Sequence, residues 1–194
     1  PVYENERGTY IFNSKDLCMI EHIPEMIDAG IDSFKIEGRM KTALYVAAVA
    51  RTYRRAIDDC LESEEKYRDN MNWYREEIAK CTYRQFTTGF YFGRTDETSQ
   101  IYDNNKYVNE YIYLGIVHLV DGQGRAHLIQ KNKFCVGDEI EIMKPDGSNV
   151  FVKVLHMHDE EGEAIESCPH AGQAIDVMLS QIPEKYDILR VRNQ

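Results

Sequence analysis

Residues 32–41 read Asp32-Ser33-Phe34-Lys35-Ile36-Glu37-Gly38-Arg39-Met40-Lys41. Apolar and polar residues alternate up to the acid, which predicts a short strand over residues 31–37. Gly38 interrupts this pattern, and a long helical periodicity begins at about Thr42. In sheets and barrels of alternating strands and helices, such a junction lies at the carboxyl end of the strand, where ligands and chemistry collect. The first candidates for a catalytic site are therefore Glu37, Arg39 and Lys41.

The charges at this junction allow two interpretations. Glu37 can accept a proton or hydrogen-bond a substrate, and Arg39 can grip a carboxylate or phosphate through two parallel hydrogen bonds. Gly38 would let the chain turn sharply between them. Alternatively, the acid and the base form an ion pair that ties the strand to the helix, since charges at strand ends are also common structural ties.

Length and charge limit the class of protein. The chain has 194 residues, enough to bury a core in one or two domains. It begins at Pro1 within a segment of structured character, and we interpret it as a piece of a longer protein. The net charge of -10 opposes binding to nucleic-acid phosphates unless a local basic patch reverses the field. No apolar run is long enough to span a bilayer, so we expect no membrane partner.

Five cysteines are dispersed along the chain, and no two form a C-x-x-C pair. An odd and scattered set argues against a disulfide framework or zinc ribbon and predicts a reducing, cytoplasmic location. Cys18 falls in a predicted helix that Ser14 would cap, with Leu17 and Ile20 nearby. By residue type alone, it is interpreted as a small buried core thiol, because the chain supplies no other cysteine at metal-ligand spacing.

Three further groups have weaker signals. Cys168 and His170 flank a proline, and near neighbours in sequence seldom form a nucleophile and base. His156 and His158 share a predicted strand face, but no third metal ligand is evident. The aromatic side chains of Phe86, Phe90, Tyr91 and Phe92 can stack on nucleobases. We favour a packing role for them, as a staple between the two halves of the chain.

Periodicity divides the chain into a helical half and a strand-rich half. Up to about Lys80 it predicts a short helix that starts near Pro24 and stops at Gly30, the long helix from Thr42, and a helix over residues 72–80. From Tyr111 onward it predicts six short strands joined by tight turns, which is typical of a small closed barrel. These strands are predicted over residues 111–120, 125–130, 139–143, 150–156, 164–166 and 174–179.

Several motifs follow one another in a specific order. They are Glu6-Arg7-Gly8-Thr9-Tyr10, Asn13-Ser14-Lys15-Asp16-Leu17-Cys18, Ser33 to Lys41, Thr87-Thr88-Gly89-Phe90, and Val136 to Glu141. In this order they resemble peptidase family U32, the collagenase-like proteases of bacteria. The run around Lys35 to Lys41 is the most specific part of the resemblance.

The resemblance implies a mixed α+β fold in two parts. Residues 1–82 would be the helix-strand-helix, C-terminal portion of a TIM-type α/β barrel, whose other strands lie upstream. Residues 83–108 would be a linker, and residues 109–194 the small antiparallel β-barrel of the family's C-terminal domain. Glu37 would then lie at the rim, where such barrels keep their sites.

Two activities are attached to the family that the chain resembles. The leading expectation is peptide-bond hydrolysis, with a protein or peptide substrate as the partner. The alternative is iron–sulfur-dependent hydroxylation of tRNA or rRNA bases, with RNA bound through the missing N-terminal half. A third interpretation is a docking module that recruits substrate and is inactive alone.

The resemblance also changes the expectation for Cys18. In its Asp-Leu-Cys context it matches the last of four cysteines that hold an iron–sulfur cluster in some members of the family. Cluster thiolates must be grouped around the metal, and the three partners would lie outside this chain. We therefore expect no cofactor in this chain by itself and an iron–sulfur cluster in the full-length protein.

Overall fold

The computed structural model describes residues 3–6, 8–10, 14–81, 83–101 and 110–193. The chain divides into two compact units. The helical unit comprises Pro1–Glu37 and Thr52–Asn109, and the barrel unit comprises Gly38–Arg51 and Glu110–Gln194. Part of the expected linker lies outside the described residues, so the domain limits drawn from the sequence stay a prediction.

The helical unit combines short strands with helices. Strands β1 (Tyr3–Asn5) and β2 (Gly8–Tyr10) pair antiparallel, and β3 (Asp16–Leu17) and β4 (Phe86–Thr87) pair in parallel. Single 3-10 turns lie at Ile20–His22 and Glu97–Ser99. The α-helices are α1 (Ile23–Asp28), α2 (Ala43–Glu62), α3 (Glu64–Asp69) and α4 (Met71–Ala79). The division of the chain assigns residues 43–51 of α2 to the barrel unit and residues 52–62 to the helical unit.

Local signals explain where these helices begin and end. Pro24 lies in the first turn of α1, where its missing N–H has no helical partner to lose, and the chain leaves the helix at Gly30 with φ of 77°. Thr42 accepts a hydrogen bond from the Tyr45 N–H through Oγ1 at 3.2 Å, which caps α2. The helices predicted after Pro24, from Thr42 and over residues 72–80 are confirmed. Within the described residues, none of the helices is both long and apolar enough to cross a membrane.

A buried carboxylate ties α2 to the two helices that follow it. Asp59 is 4% exposed and accepts hydrogen bonds from the Tyr74 hydroxyl at 2.6 Å and the Asn70 amide at 3.0 Å. Its oxygen also lies 3.0 Å from the Lys66 ammonium. Burial acts to raise the pKa of Asp59, but these hydrogen bonds outweigh burial and lower the pKa. The carboxylate therefore stays ionised and fixes the packing of α2 against α3 and α4.

The helix predicted to follow Ser14 is wrong. Ser14 forms an isolated bridge with Gln100, and the residues after it form β3. The Asp16 N–H donates to the Gln85 carbonyl at 2.9 Å, and the Cys18 N–H donates to the Thr87 carbonyl at 2.9 Å. Pairing with a distant segment thus replaces the helical hydrogen bonds that the local pattern predicted.

The strand predicted over residues 31–37 is also not formed. No described segment pairs with it, and a strand requires ladder hydrogen bonds to a neighbour. A turn does follow, closed by the Lys41 N–H on the Gly38 carbonyl at 2.9 Å. A Cβ atom at Gly38 would lie 2.8 Å from Val46 Cγ2, so close packing favours glycine at this position.

Among described residues 110–193, six strands form a closed antiparallel barrel. The strands are β5 (Tyr111–Val120), β6 (Ala126–Ile129), β7 (Glu139–Met143), β8 (Asn149–Asp159), β9 (Ala174–Leu179) and β10 (Ile188–Arg192). The order around the barrel is β10-β5-β6-β9-β8-β7. The predicted mixed α+β fold with a small C-terminal antiparallel β-barrel is confirmed.

The prediction of a strand over residues 164–166 is wrong, and β10 completes the barrel instead. Residues 164–166 contain only an isolated bridge from Ala164 to His158. The sixth strand is β10, which carries two arginines and therefore lacks the apolar alternation of the others. It pairs with both β5 and β7, so that Leu189 lies opposite Gly115 on one side and Ile142 on the other.

An ion pair without solvent contact joins two adjacent strands of the barrel. Arg190 of β10 and Glu141 of β7 are 0% and 1% exposed, and Nε donates to Oε2 at 2.8 Å. The Arg190 guanidinium also lies 5.1 Å from the centroid of the Tyr111 ring on β5. Because a buried charge is tolerated only when it is paired, this contact fixes the register of β10 against β7.

Residues 43–51, the first part of α2, belong to the barrel unit and are hydrogen-bonded to the turn between β7 and β8. Arg51 is 9% exposed, and its Nη1 donates to the Lys144 carbonyl at 2.8 Å and the Asn149 side-chain oxygen at 3.1 Å. A third, longer contact reaches the Ser148 carbonyl at 3.3 Å. One guanidinium thus holds residues 43–51 to the turn between two barrel strands.

We expect Glu141→Leu to lower the free energy of unfolding by about 3 to 5 kcal/mol, because it leaves the Arg190 charge buried without its partner. The double variant Glu141→Leu/Arg190→Met should recover most of this loss, since no buried charge remains. Urea denaturation of the intact protein measures both effects. Glu139→Leu, at the exposed first position of the same strand, is the matched control and should change stability by less than about 0.5 kcal/mol. An effect of Glu141→Leu no larger than that of the control would contradict the role given to the pair.

Candidate functional site

A cavity of about 560 Å³ opens in the helical unit beside Cys18. Its volume lies within the range of small-molecule binding sites. Side chains from four separated stretches of sequence line it, and they include thiol, hydroxyl, carboxylate and cationic groups. The polar lining residues are Lys15, Cys18, Glu21, His22, Arg75, Tyr83, Thr87, Thr88, Thr98 and Ser99.

Backbone pairing and one tyrosine position Cys18. The residue lies between β3 and the 3-10 turn, not in the predicted helix, and its N–H is bound to Thr87 as described above. The Tyr53 hydroxyl accepts a hydrogen bond from the Met19 N–H at 2.9 Å and lies 3.7 Å from the Cys18 sulfur. Burial raises the pKa of Cys18 above the ordinary thiol value, and the Tyr53 contact partly opposes this effect. The side chain is therefore a neutral thiol at pH 7.

A fixed pair of charges lies on the cavity wall. Both oxygens of Glu21 accept hydrogen bonds from Arg75, at 2.8 Å from Nε and 2.6 Å from Nη2. This contact lowers the pKa of Glu21 and raises the pKa of Arg75. Next to Glu21 in the sequence, the His22 ring lies 3.1 Å from the Glu25 carboxylate, which lowers the pKa of Glu25. The acids nearest the cavity are thus compensated by cationic or ionisable partners.

A turn of exposed rings, residues 88–93, borders this cavity; we call it the aromatic turn. Phe90, Tyr91 and Phe92 are 77%, 58% and 60% exposed. A role for these rings and Phe86 as a packing staple between the two halves of the chain stays a prediction. Phe92 is joined to the cavity wall through the His22 ring, with centroids 4.4 Å apart.

The three charged residues predicted as catalytic lie outside the cavity lining. Glu37 and Arg39 are exposed, and they fall in different units of the chain. Lys41 is partly buried, with its ammonium 5.0 Å from the centroid of the Tyr45 ring. A catalytic role for these residues stays a prediction.

An iron–sulfur cluster, as expected from the sequence, could take one ligand from the described residues, the thiolate of Cys18. Within the described part of the chain, no three or more His, Cys, Asp or Glu side chains are grouped so that they could hold a metal ion. Cys18 itself fits, because its thiol lines a cavity that has room beside the sulfur. Metal binding would have to deprotonate this thiol against the effect of burial, which a metal cation does by supplying positive charge. The donor set in the described residues is therefore incomplete.

The barrel unit does not form the nucleophile and base that Cys168 and His170 would need. Cys168 is buried and its sulfur donates to the Phe134 carbonyl at 3.5 Å, whereas His170 is exposed. Burial raises the pKa of this thiol. Its role is packing, consistent with the sequence-based expectation.

Sequence reasoning missed a row of polar side chains across three barrel strands. His158 of β8 lies opposite Asp176 of β9, which in turn lies opposite and is paired with His127 of β6. The two histidines are 31 residues apart in sequence. Only the strand register brings them to one surface, so no local motif could have found this group. It also does not meet the requirements of a metal site among the described residues.

Two family models together match nearly the whole chain. The model described as peptidase family U32 matches residues 2–101, and the model of the peptidase family U32 C-terminal domain matches residues 109–190.

Three relatives of known name show how the chain compares with longer proteins. It is 34% identical to tRNA hydroxylation protein P1 of Bacillus subtilis (strain 168), over 93% of this chain and 43% of the relative. It is 33% identical to tRNA hydroxylation protein P of Escherichia coli (strain K12), over 98% of this chain and 41% of the relative. A Porphyromonas gingivalis protein named collagenase is 32% identical, over 78% of this chain and 42% of that protein. The chain thus spans about two fifths of the length of these relatives.

We expect Cys18 in the metal-free intact protein to be alkylated by iodoacetamide with a pH midpoint above the ordinary thiol pKa of about 8.5, because burial disfavours its thiolate. Mass spectrometry of the Cys18 peptide, with glutathione as the reference thiol, measures the midpoint. Tyr53→Phe should move it higher still, since the Tyr53 hydroxyl lowers this pKa. A midpoint at or below that of glutathione, or a downward shift in the variant, would contradict this description.

Proposed function

This chain belongs to peptidase family U32, and from that premise we propose that it is part of a protein that takes part in tRNA hydroxylation. The observation that carries the proposal is the extent of similarity to two proteins named for that activity. Both cover more than nine tenths of the chain, through the helical unit and the barrel unit alike. Because this chain spans only 43% and 41% of those relatives, the activity is proposed for the intact protein.

We propose an iron–sulfur cluster as the cofactor of the intact protein, with Cys18 as one ligand and cysteines outside this chain as the others. Such a cluster, when bound, supplies one-electron transfer. This chain contributes the position of the sulfur, set by the Thr87 carbonyl and the Tyr53 hydroxyl. It also contributes partial burial, which keeps water from the thiol and makes its environment less polar.

An RNA substrate could bind through its phosphates to the basic segment formed by residues 35–41. The segment 35–41 carries Lys35, Arg39 and Lys41 against a single acid, Glu37, although the whole chain has a net charge of -10. Lys35 and Arg39 are exposed. Exposed cations of this kind bind phosphate oxygens and release counterions, which favours RNA at this segment over the rest of the acidic surface. Glu37 would serve there as a hydrogen-bond or proton acceptor.

Peptide-bond hydrolysis is the second candidate function. It is favoured by the similarity to the protein named collagenase, which extends over 78% of this chain. A gelatin zymogram tests this second function. Peptide-bond hydrolysis would be supported if the intact protein cleared gelatin and the Glu37→Gln variant did not.

Mass spectrometry of tRNA nucleosides tests the proposed function directly. A strain lacking the gene should lose a nucleoside that is one oxygen atom heavier than its unmodified form, and the wild-type gene should restore it. An unchanged set of nucleosides in the deletion strain would contradict the proposal.

The same strain tests the role of Glu37. We expect Glu37→Gln to fail to restore the hydroxylated nucleoside while its melting temperature stays within about 2 °C of wild type, because the side chain is exposed. Glu76→Gln, another exposed acid, is the matched control and should restore the nucleoside fully. A large loss of stability in Glu37→Gln with hydroxylation intact would instead support the structural ion pair.

Iron and sulfide analysis tests the proposed cofactor. The intact protein purified without oxygen should contain both elements and absorb broadly in the visible range, and Cys18→Ser should reduce the content because one ligand is lost. Cys135→Ser, a partly buried cysteine of the barrel, should leave it unchanged. Colourless, iron-free wild-type protein after reconstitution would count against the cluster.

A further inference from the structure

We propose that the aromatic turn, residues 88–93, binds unpaired bases of the RNA substrate by stacking. This inference rests on the proposed function and names the part of this chain that contacts the substrate beside Cys18. The three consecutive rings of Phe90, Tyr91 and Phe92 expose more than half of their surface. Large exposed apolar groups grouped together mark interaction surfaces, because water solvates them poorly.

The backbone presents these rings in a defined way. Gly89 and Gly93 bracket them with φ of 58° and 141°, conformations that glycine adopts without steric cost. Within the turn, the Tyr91 N–H donates to the Thr88 carbonyl at 3.3 Å. A side-chain hydrogen bond from the Gly89 N–H to Thr87 Oγ1, at 3.1 Å, joins the turn to β4. The rings therefore project from a hydrogen-bonded turn attached to the wall of the cavity.

The turn is continuous with the cavity beside Cys18. Thr88 lines the cavity and is the first residue of the turn, and His22 lines it while contacting the Phe92 ring. Enzymes that modify a base take it out of the stack and hold it in a pocket. A cavity of about 560 Å³ has room for one base, while the neighbouring bases stack on the exposed rings.

The polar groups of the cavity favour a nucleobase over an apolar protein segment. Hydroxyl groups of Thr87, Thr88 and Ser99 lie in the lining and can bond to the donors and acceptors at a base edge. An apolar segment would cover the Thr88 and Ser99 hydroxyl groups without offering them a hydrogen-bond partner, which costs free energy. Glu21 is already neutralised by Arg75, so it opposes an RNA backbone less than an unpaired acid would.

Base stacking is also compatible with the net negative charge of this chain. Base–aromatic stacking does not depend on a basic stripe, since every base has a π-face. The rings are flanked on the chain by Arg94, which is exposed, and Lys15 lies in the cavity lining. These cations can add phosphate contacts without changing the mode of recognition.

Binding of an unmodified tRNA transcript to the intact protein, followed by fluorescence anisotropy, tests the inference. The triple variant Phe90→Leu/Tyr91→Leu/Phe92→Leu keeps apolar side chains but removes the rings, and it should bind at least about tenfold more weakly. The ring-keeping variant Phe90→Tyr/Tyr91→Phe/Phe92→Tyr should bind within about twofold of wild type. Phe151→Leu, a 62% exposed ring on the barrel, is the matched control and should bind like wild type. Thermal unfolding of each variant checks that the fold is kept.

Two outcomes would overturn the inference. The first is wild-type affinity in the leucine variant; if its melting temperature is also lowered, the rings pack against a protein segment instead. The second is an equal loss of affinity in the ring-keeping variant. Each of these results leaves the proposed function standing if the deletion strain lacks the hydroxylated nucleoside. Conversely, an unchanged nucleoside set in that strain contradicts the proposed function whatever the affinities are.

Discussion

Closure of the barrel depends on β10, whose buried Arg190 is paired with Glu141 of β7. β10 is the strand that joins β5 to β7, and without it the other five strands would form an open sheet with two unpaired edges. The ion pair is buried, so it tolerates no shift of register that would separate its charges. Ile188 and Leu189 complete the strand's contribution to the interior of the barrel unit.

The candidate site depends in a similar way on pairing between distant segments. β3 and β4 are only two residues long each, yet their parallel pairing brings Cys18 next to Thr87. Tyr53, from the part of α2 that belongs to the helical unit, then fixes the backbone after Cys18 through its hydroxyl. The position of Cys18 therefore depends on three separate stretches of sequence, which meet only in the folded chain.

Much of the barrel could be predicted from the sequence, because alternation and turn residues act locally. The Pro145-Asp146-Gly147 turn, for example, has Gly147 at φ of 93° and an Asp146 side chain that accepts from the Ser148 N–H at 2.8 Å. β10 escaped prediction since Arg190 is a buried charge, and only its partner on another strand makes that arrangement favourable.

The candidate site was harder to predict, because it too depends on contacts between segments that are distant in sequence. Cys18 could be singled out by a resemblance, but its surroundings could not, because the helical pattern after Ser14 gives way to sheet pairing with residues some 70 positions away. The aromatic residues were visible in the sequence, whereas their exposure is a property of the folded turn. Glu37, Arg39 and Lys41 remain predictions from sequence pattern alone.

The most direct test of the central claim, that the helical unit contacts the RNA substrate beside Cys18, is ultraviolet crosslinking of the intact protein to unmodified tRNA. Mass spectrometry would then map the crosslinked peptides. We expect crosslinks on peptides that contain the aromatic turn and the residues around Cys18. Crosslinks confined to the barrel residues 110–193, with none in residues 14–22 or 83–94, would contradict it.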